Sequence, residues 1–308
     1  MVPDSTAFPE SSPAFPFLSA IVGSLHNVAP ERADEVLAIL GQYEVRLVID
    51  QDLERVFRAR ITDGRRDLRC SIYGAEVVWA ASLAYVTVHK QFKENVGESI
   101  RYADHFATRW VPLLLDFAFN RRIARRSKEP WPGDLPTPRF PVDGQEVDVV
   151  PLATHLWLMA LAWILHHELT HIRLGHLDRG DARIDDEIAA DEGATDWLLQ
   201  GVRDPNAQLV RSLGIAIAVV TLAGFSLHRG MRSVQGNRSH PPAGERILRA
   251  LSHPTFDDDH PAQELALIGA KMHLDSFDVT APQGPFDTSS DCPNAYCRIL
   301  IDWELRRS

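Results

Sequence analysis

The sequence predicts a mainly helical, α+β protein, and three observations carry that reading. Segments 76–93, 98–120, 151–177, 184–200, 205–229, 241–252 and 261–275 combine enough length with helical spacing of apolar residues. Against them stands one clear strand candidate, YEVRLVID at 43–50, which alternates apolar and polar. Apolar residues make up 45% and charged residues 24%, the balance of a soluble globular chain and not of a disordered, collagen-like or coiled-coil one.

Taken in order, residues 1–17 (MVPDSTAFPESSPAFPF) carry no basic stretch followed by an apolar run, so they do not read as a signal peptide. Their Pro and Ser content predicts an extended lead-in. Residues 31–41 (ERADEVLAILG) predict a short amphipathic helix closed by Gly41. The Arg-rich stretch 53–72 leaves strand and helix both open. After the first long helices, 121–150 is a break. Its RRIARRSK run reads as a solvated helix end, and EPWPGDLPTPRFPVDG is dense in Pro and Gly. A loop of that length needs a reason, such as a lid, a substrate groove or a linker.

The helix at 151–177 is the best defined. Pro151 suits its start and Gly175 its end, and PLATHLWLMALAWIL is apolar on every side, the mark of a central buried helix. The uncharged run SLGIAIAVVTLAGFSL spans 16 residues, fewer than the roughly 20 that cross a bilayer, so it also predicts a core helix. The end of the chain turns apolar at 296–304 (YCRILIDWE), a candidate final strand. No internal repeat is present. These shifts divide the chain into an N-terminal segment, 1–72, a main domain, 73–280, and a tail, 281–308.

A net charge of −10 repels phosphate backbones and argues against nucleic-acid binding. Cys70, Cys292 and Cys297 are too few for a disulfide framework and suit a reducing cytosol. Cys292 and Cys297 lack the second pair that a four-cysteine zinc site needs, so the thiols read as free or buried.

The chemistry concentrates in HHELTHIRLGH, at the end of the buried helix. His167, Glu168 and His171 spell H-E-x-x-H. Residues four apart share a helix face, so both imidazoles reach one metal ion. Glu168, adjacent to the first ligand, projects beside the metal and suits a base that takes a proton from water. Two histidines and a glutamate inside an apolar helix are costly unless something compensates them. A catalytic zinc needs a third protein ligand and an open position. His176 lies five residues after His171. The metzincin pattern requires a glycine and a histidine where this chain has Leu174 and Leu177, so that class is excluded. His176 reads as a helix-capping or surface residue.

Residues 187–194, EIAADEGA, offer a better third ligand. Glu187 and Asp191 share a face of one helix. Glu187 can complete a two-histidine, one-carboxylate site, and Asp191 can accept the spare N–H of a ligand histidine and fix its tautomer. Ala190 and Ala194 leave room for close packing, and Asp186 and Glu192 are the alternatives if the register differs. In SHPPAGERI, residues 239–247, His240 precedes a helix start and can hydrogen-bond a developing oxyanion, while Arg246 can pair with a nearby acid.

The succession ALAWILHHELTHIRLGH, EIAADEGATDWLL and SHPPAGERI resembles the Lit-type phage-exclusion peptidases. It shares a skeleton with the wider gluzincins, including the membrane HtpX-type proteases. The resemblance covers roughly residues 75–250. It implies a zincin-like fold with a buried H-E-x-x-H helix and a second ligand-bearing helix. It also implies Zn2+ held by His167, His171 and Glu187, Glu168 as base, and Asp191 behind the ligands. The activity implied is a latent, cytoplasmic zinc endopeptidase that cleaves elongation factor Tu during phage infection. Its partner is a protein substrate, not nucleic acid or a membrane. A reading from another class is a zinc-containing regulatory or sensor module without proteolysis. The presence of Glu168 weighs against it, because a structural site needs no base.

Overall fold

The computed structural model describes residues 11–94, 110–142, 148–179, 181, 183–228, 240–257, 260–277, 279 and 297–301. Helices α1 (Leu18–Asn27) and α2 (Ala33–Gln42) lead into strands β1 (Arg46–Asp50), β2 (Phe57–Thr62) and β3 (Arg65–Ser71). The rest is helical: α3 (Ile72–Glu94), α4 (Trp110–Leu115), α5 (Val149–Arg173), α6 (Ile184–Leu199), α7 (Pro205–His228), α8 (Ala243–Leu251) and α9 (Pro261–Ser276). The protein is therefore mainly helical with a small mixed sheet.

The Arg-rich stretch is a hairpin. Asp63 and Gly64 both take positive φ, 51° and 75°, which a two-residue turn between twisted strands requires. β2 runs antiparallel to β3 with Ala59 opposite Leu68, and β1 lies parallel on the other side with Val48 opposite Arg69. The order β1-β3-β2 leaves β2 at one edge. Two of the arginines pair with carboxylates on the sheet: Arg46 Nη2 is 2.8 Å from Asp67 Oδ1, and Arg69 Nε is 2.9 Å from Asp50 Oδ2.

α5 is the central element, packed on α1, α3, α6, α7 and on β2 and β3. Asp148 caps it, its Oδ1 accepting from the Val150 N–H at 2.8 Å. Pro151 sits in the first turn, where a missing N–H costs nothing. The buried indoles find partners, as large amphipathic side chains must. Trp157 Nε1 donates to Ala75 O at 2.9 Å, and Trp163 Nε1 to Thr195 Oγ1 at 3.0 Å. Where α7 crosses α5, a Cβ on Gly214 would lie 2.3 Å from Met159 Cβ, so only glycine permits that approach. α5 and α7 are long and apolar enough to cross a membrane, yet most of each is buried within the protein. The uncharged run thus forms core, as expected.

Other expectations are corrected. Residues 297–301 are helical, not a strand. Cys297 and Leu300, three apart, both turn inward, and a Cβ on Gly244 would meet Cys297 O at 2.2 Å. A short apolar run cannot show its period by itself. The basic run is not wholly solvated. Its helix continues as a π-helix over Asp116–Ala124, and Arg122 is fully buried, with Nε 2.9 Å from Glu76 Oε2. Residues 98–109 of the expected helix 98–120, and residues 143–147 of the break, lie outside the described residues. Cys70 and Cys297 are free and buried, and Cys292 lies outside the described residues.

His228 and His273 face each other across α7 and α9, with ring centroids 5.5 Å apart around Phe119. Burial draws the His228 pKa down to about 4, and burial together with His228 draws that of His273 well below its ordinary value. In the unfolded chain both charge near pH 6.5. Below that pH the unfolded state binds protons that the fold does not, so stability falls as pH drops. Denaturant unfolding is expected to show that loss between pH 6.5 and pH 4.5, with His228→Gln removing about 2 kcal/mol of it. An unchanged slope in His228→Gln would contradict the neutral, buried imidazole.

Candidate metal centre

The last two turns of α5 carry the motif with helical geometry intact, so His167 and His171 project from one face. Their Nε2 atoms lie 3.2 Å apart. α6 presses its small residues on the same region: Ala190 and Ala194 are fully buried, and a Cβ on Gly193 would come 2.9 Å from Thr170 Cγ2. That contact delivers Glu187. Its Oε2 is 3.4 Å from His167 Nε2, and its Oε1 is 3.4 Å from His171 Nε2. One ligand atom from each of the three residues lies within 4.8 Å of the others.

The donors fit a divalent cation. Two imidazoles and a carboxylate converge in a buried setting, and Glu187 Oε2, though buried, has no hydrogen-bond partner. Such an orphaned oxygen is costly unless a positive charge meets it.

Partners behind the ligands set their electrostatics. His167 Nδ1 lies 2.8 Å from Asp191 Oδ1, off the line of a well-formed hydrogen bond. Arg246 of α8 closes on the same carboxylate with both prongs, Nε to Oδ2 at 2.8 Å and Nη2 to Oδ1 at 2.6 Å. Burial opposes charge on His167, but Asp191 and then Glu187 outweigh it and lift its pKa to about 9. Burial, and then the charge on His167, hold His171 down at about 4. Burial works against the Glu187 carboxylate too, yet His167 draws its pKa to about 2. Arg246 and His167 overcome burial at Asp191 and keep it well below the usual carboxylate range.

Glu168, next to His167 on α5, reaches the edge of the sheet. Its Oε2 accepts the Ala59 N–H of edge strand β2 at 2.6 Å. Burial nevertheless keeps its pKa above the ordinary value, with the charge of His167 opposing. His240 Nε2 lies 3.4 Å from Glu187 Oε2 at the open side of the cluster. His176 is not the surface or capping residue expected. Its side chain is 9% exposed, with Nδ1 2.9 Å from His171 Nδ1 and Nε2 3.5 Å from Asp186 Oδ1.

The family model of peptidase U49 matches residues 70–266. The chain belongs to the peptidase U49 family. This is the Lit-type family that the motifs resemble, and the protein is a peptidase. It is 27% identical over 250 residues to "Cell death peptidase" of Escherichia coli (strain K12), covering 78% of this chain and 82% of that protein. No solved structure gives a significant match.

In this U49 peptidase, the matched region holds every side chain of the cluster, whereas Ala59 precedes it. The fold brings together His167, His171, Glu187, Asp191 and His240, with Glu168 beside them. Arg246 finds the acid that the sequence could not name. Asp186, the alternative ligand, lies behind His176, and Glu192 is not in the cluster. The Ala59 N–H escaped the sequence reading because a backbone group carries no residue-type signal. His176 was misjudged because its spacing fits no ligand pattern.

Arg246 counters a buried carboxylate, so Arg246→Met is expected to cost about 3–5 kcal/mol of stability in chemical denaturation. Arg249→Met, which breaks the exposed 2.8 Å pair with Glu245, is expected to cost less than about 1 kcal/mol. Equal effects would show that the Arg246–Asp191 pair is not what holds α8 against α6.

Proposed function

We propose that the protein is a zincin-type, zinc-dependent endopeptidase of the cytoplasm, with His167, His171 and Glu187 as metal ligands. The observation that carries this reading is the buried convergence of those three side chains, with Glu168 next to His167 on the same helix and electrically coupled to His167 and Glu187. When bound, zinc supplies a Lewis acid that acidifies water and polarises the scissile carbonyl. Glu168 takes the proton of the attacking water and passes it to the leaving amine. Its raised pKa suits it to both halves of that exchange. The Ala59 N–H aims the carboxylate. His240, beside Glu187 Oε2, donates to the oxyanion. β2 is an outer strand whose Ala59 N–H faces Glu168, so an extended peptide lying along it comes within reach of the base.

The substrate proposed is elongation factor Tu, cut in an abortive response to phage infection. It rests on the Lit-type family and on a relative named as a cell death peptidase. The negative charge supports a protein partner over nucleic acid, and the burial of α5 and α7 supports a role away from membranes.

Glu168→Gln is expected to retain stoichiometric zinc and lose proteolysis, since the carboxylate acts as base and not as ligand. Glu187→Ala is expected to lose zinc, while Glu192→Ala keeps it. Elemental analysis of the purified proteins, with mapping of new termini in infected and uninfected bacteria, reads both. A discrete fragment of elongation factor Tu that depends on Glu168 supports the substrate. A Glu168-dependent cut in another protein alone would discard the substrate and keep the enzyme class. Tight zinc without any Glu168-dependent cleavage would favour the non-proteolytic module.

A further inference from the structure

A histidine that binds a metal through one ring nitrogen usually donates the other N–H to an acceptor that fixes its tautomer. For His167 the Asp191 carboxylate stands in that place, with Oδ1 2.8 Å from Nδ1. Among the described residues, His171 has no carboxylate or carbonyl at its far nitrogen. Its Nδ1 faces instead Nδ1 of His176, at 2.9 Å, with the rings inclined at 68°.

Two neutral imidazole nitrogens at that distance form a hydrogen bond only if one carries the proton and the other does not. Nε2 of His171 points at His167 and Glu187, so presenting its lone pair there requires the proton on Nδ1. His171 is then the donor and His176 Nδ1 the acceptor. The remaining proton of His176 must sit on Nε2, and that atom lies 3.5 Å from Asp186 Oδ1. Arg179 holds the same oxygen, and Asp186 Oδ2 is buried with no hydrogen-bond partner, so the carboxylate is built to accept. Each proton has one place that the geometry permits.

The turn that makes this possible is short. α5 ends at Arg173, and Gly175 takes φ 68°, returning the chain as a 3-10 helix over His176–Asp178 beneath the ligand face. His176 therefore meets His171 only because the helix stops where it does.

We propose that His176 and Asp186 form a relay, His171 Nδ1–H to His176 Nδ1 and His176 Nε2–H to Asp186, that fixes the metal-binding tautomer of His171. His176 is a positioning residue in this scheme and not a ligand. The assignment rests on the metal reading above.

The test uses the full chain and zinc. Ring 15N NMR of histidine-labelled, zinc-loaded wild-type protein should show His171 as the Nδ1–H tautomer and His176 as the Nε2–H tautomer. Competition with a chromophoric chelator should show His176→Ala binding zinc about 10–100-fold more weakly, the usual cost of losing such a partner. His176→Asn, whose side-chain oxygen can accept the same N–H, should recover most of that affinity. The metal-free melting temperatures of the variants should stay close to wild type. A His176 proton on Nδ1, or His176→Ala with wild-type affinity, overturns the relay and leaves the metal centre standing. Wild-type protein that takes up no zinc overturns the metal reading and the relay with it. Should His176→Ala fail to fold, the tautomers measured in wild type still decide.

Discussion

Asp191 stands between His167 of α5 and Arg246 of α8, and that arrangement is what the site cannot do without. An unpaired buried carboxylate or imidazolium costs several kcal/mol, so each of the three depends on the others. The contact ties three helices that are far apart in sequence. It also sets the face that α5 turns toward α6, and so brings Glu187 to the two histidines. The position of Glu187 is thus a consequence of charge burial as much as of apolar packing.

Close packing serves the same end. Small residues on α6 let it lie against the motif turns, and Gly214 lets α7 press α5 from another side. Held by neighbours along most of its length, α5 presents its imidazoles with little freedom to rotate. The less enclosed side of the cluster is the one where His240, itself exposed, meets Glu187.

The electrostatics divide the neighbouring acids and bases by role. Glu187 and Asp191 are held ionised, while burial raises the pKa of Glu168 above its ordinary value. These carboxylates lie on two packed helices, yet their surroundings differ. Glu187 and Asp191 face imidazole and guanidinium, whereas Glu168 faces a single backbone N–H.

Much of this was legible in the sequence. Helical period placed most of the helices, and the spacing of His167, His171, Glu187 and Asp191 was readable because side chains that share a helix face repeat every three or four residues. The hairpin at 57–71 was left open although Asp63-Gly64 marks it, since the surrounding arginines obscure alternation. The helix at 297–301 lies within 296–304, an apolar run too short for its spacing to separate strand from helix. By itself the sequence determined which side chains share a helix face, because that follows from local geometry and the nature of each residue. Only the tertiary structure decided that Arg246 belongs to Asp191, that the Ala59 N–H belongs to Glu168, and that His176 lies behind His171. Those pairings join atoms on different elements, and only packing sets the distance between them.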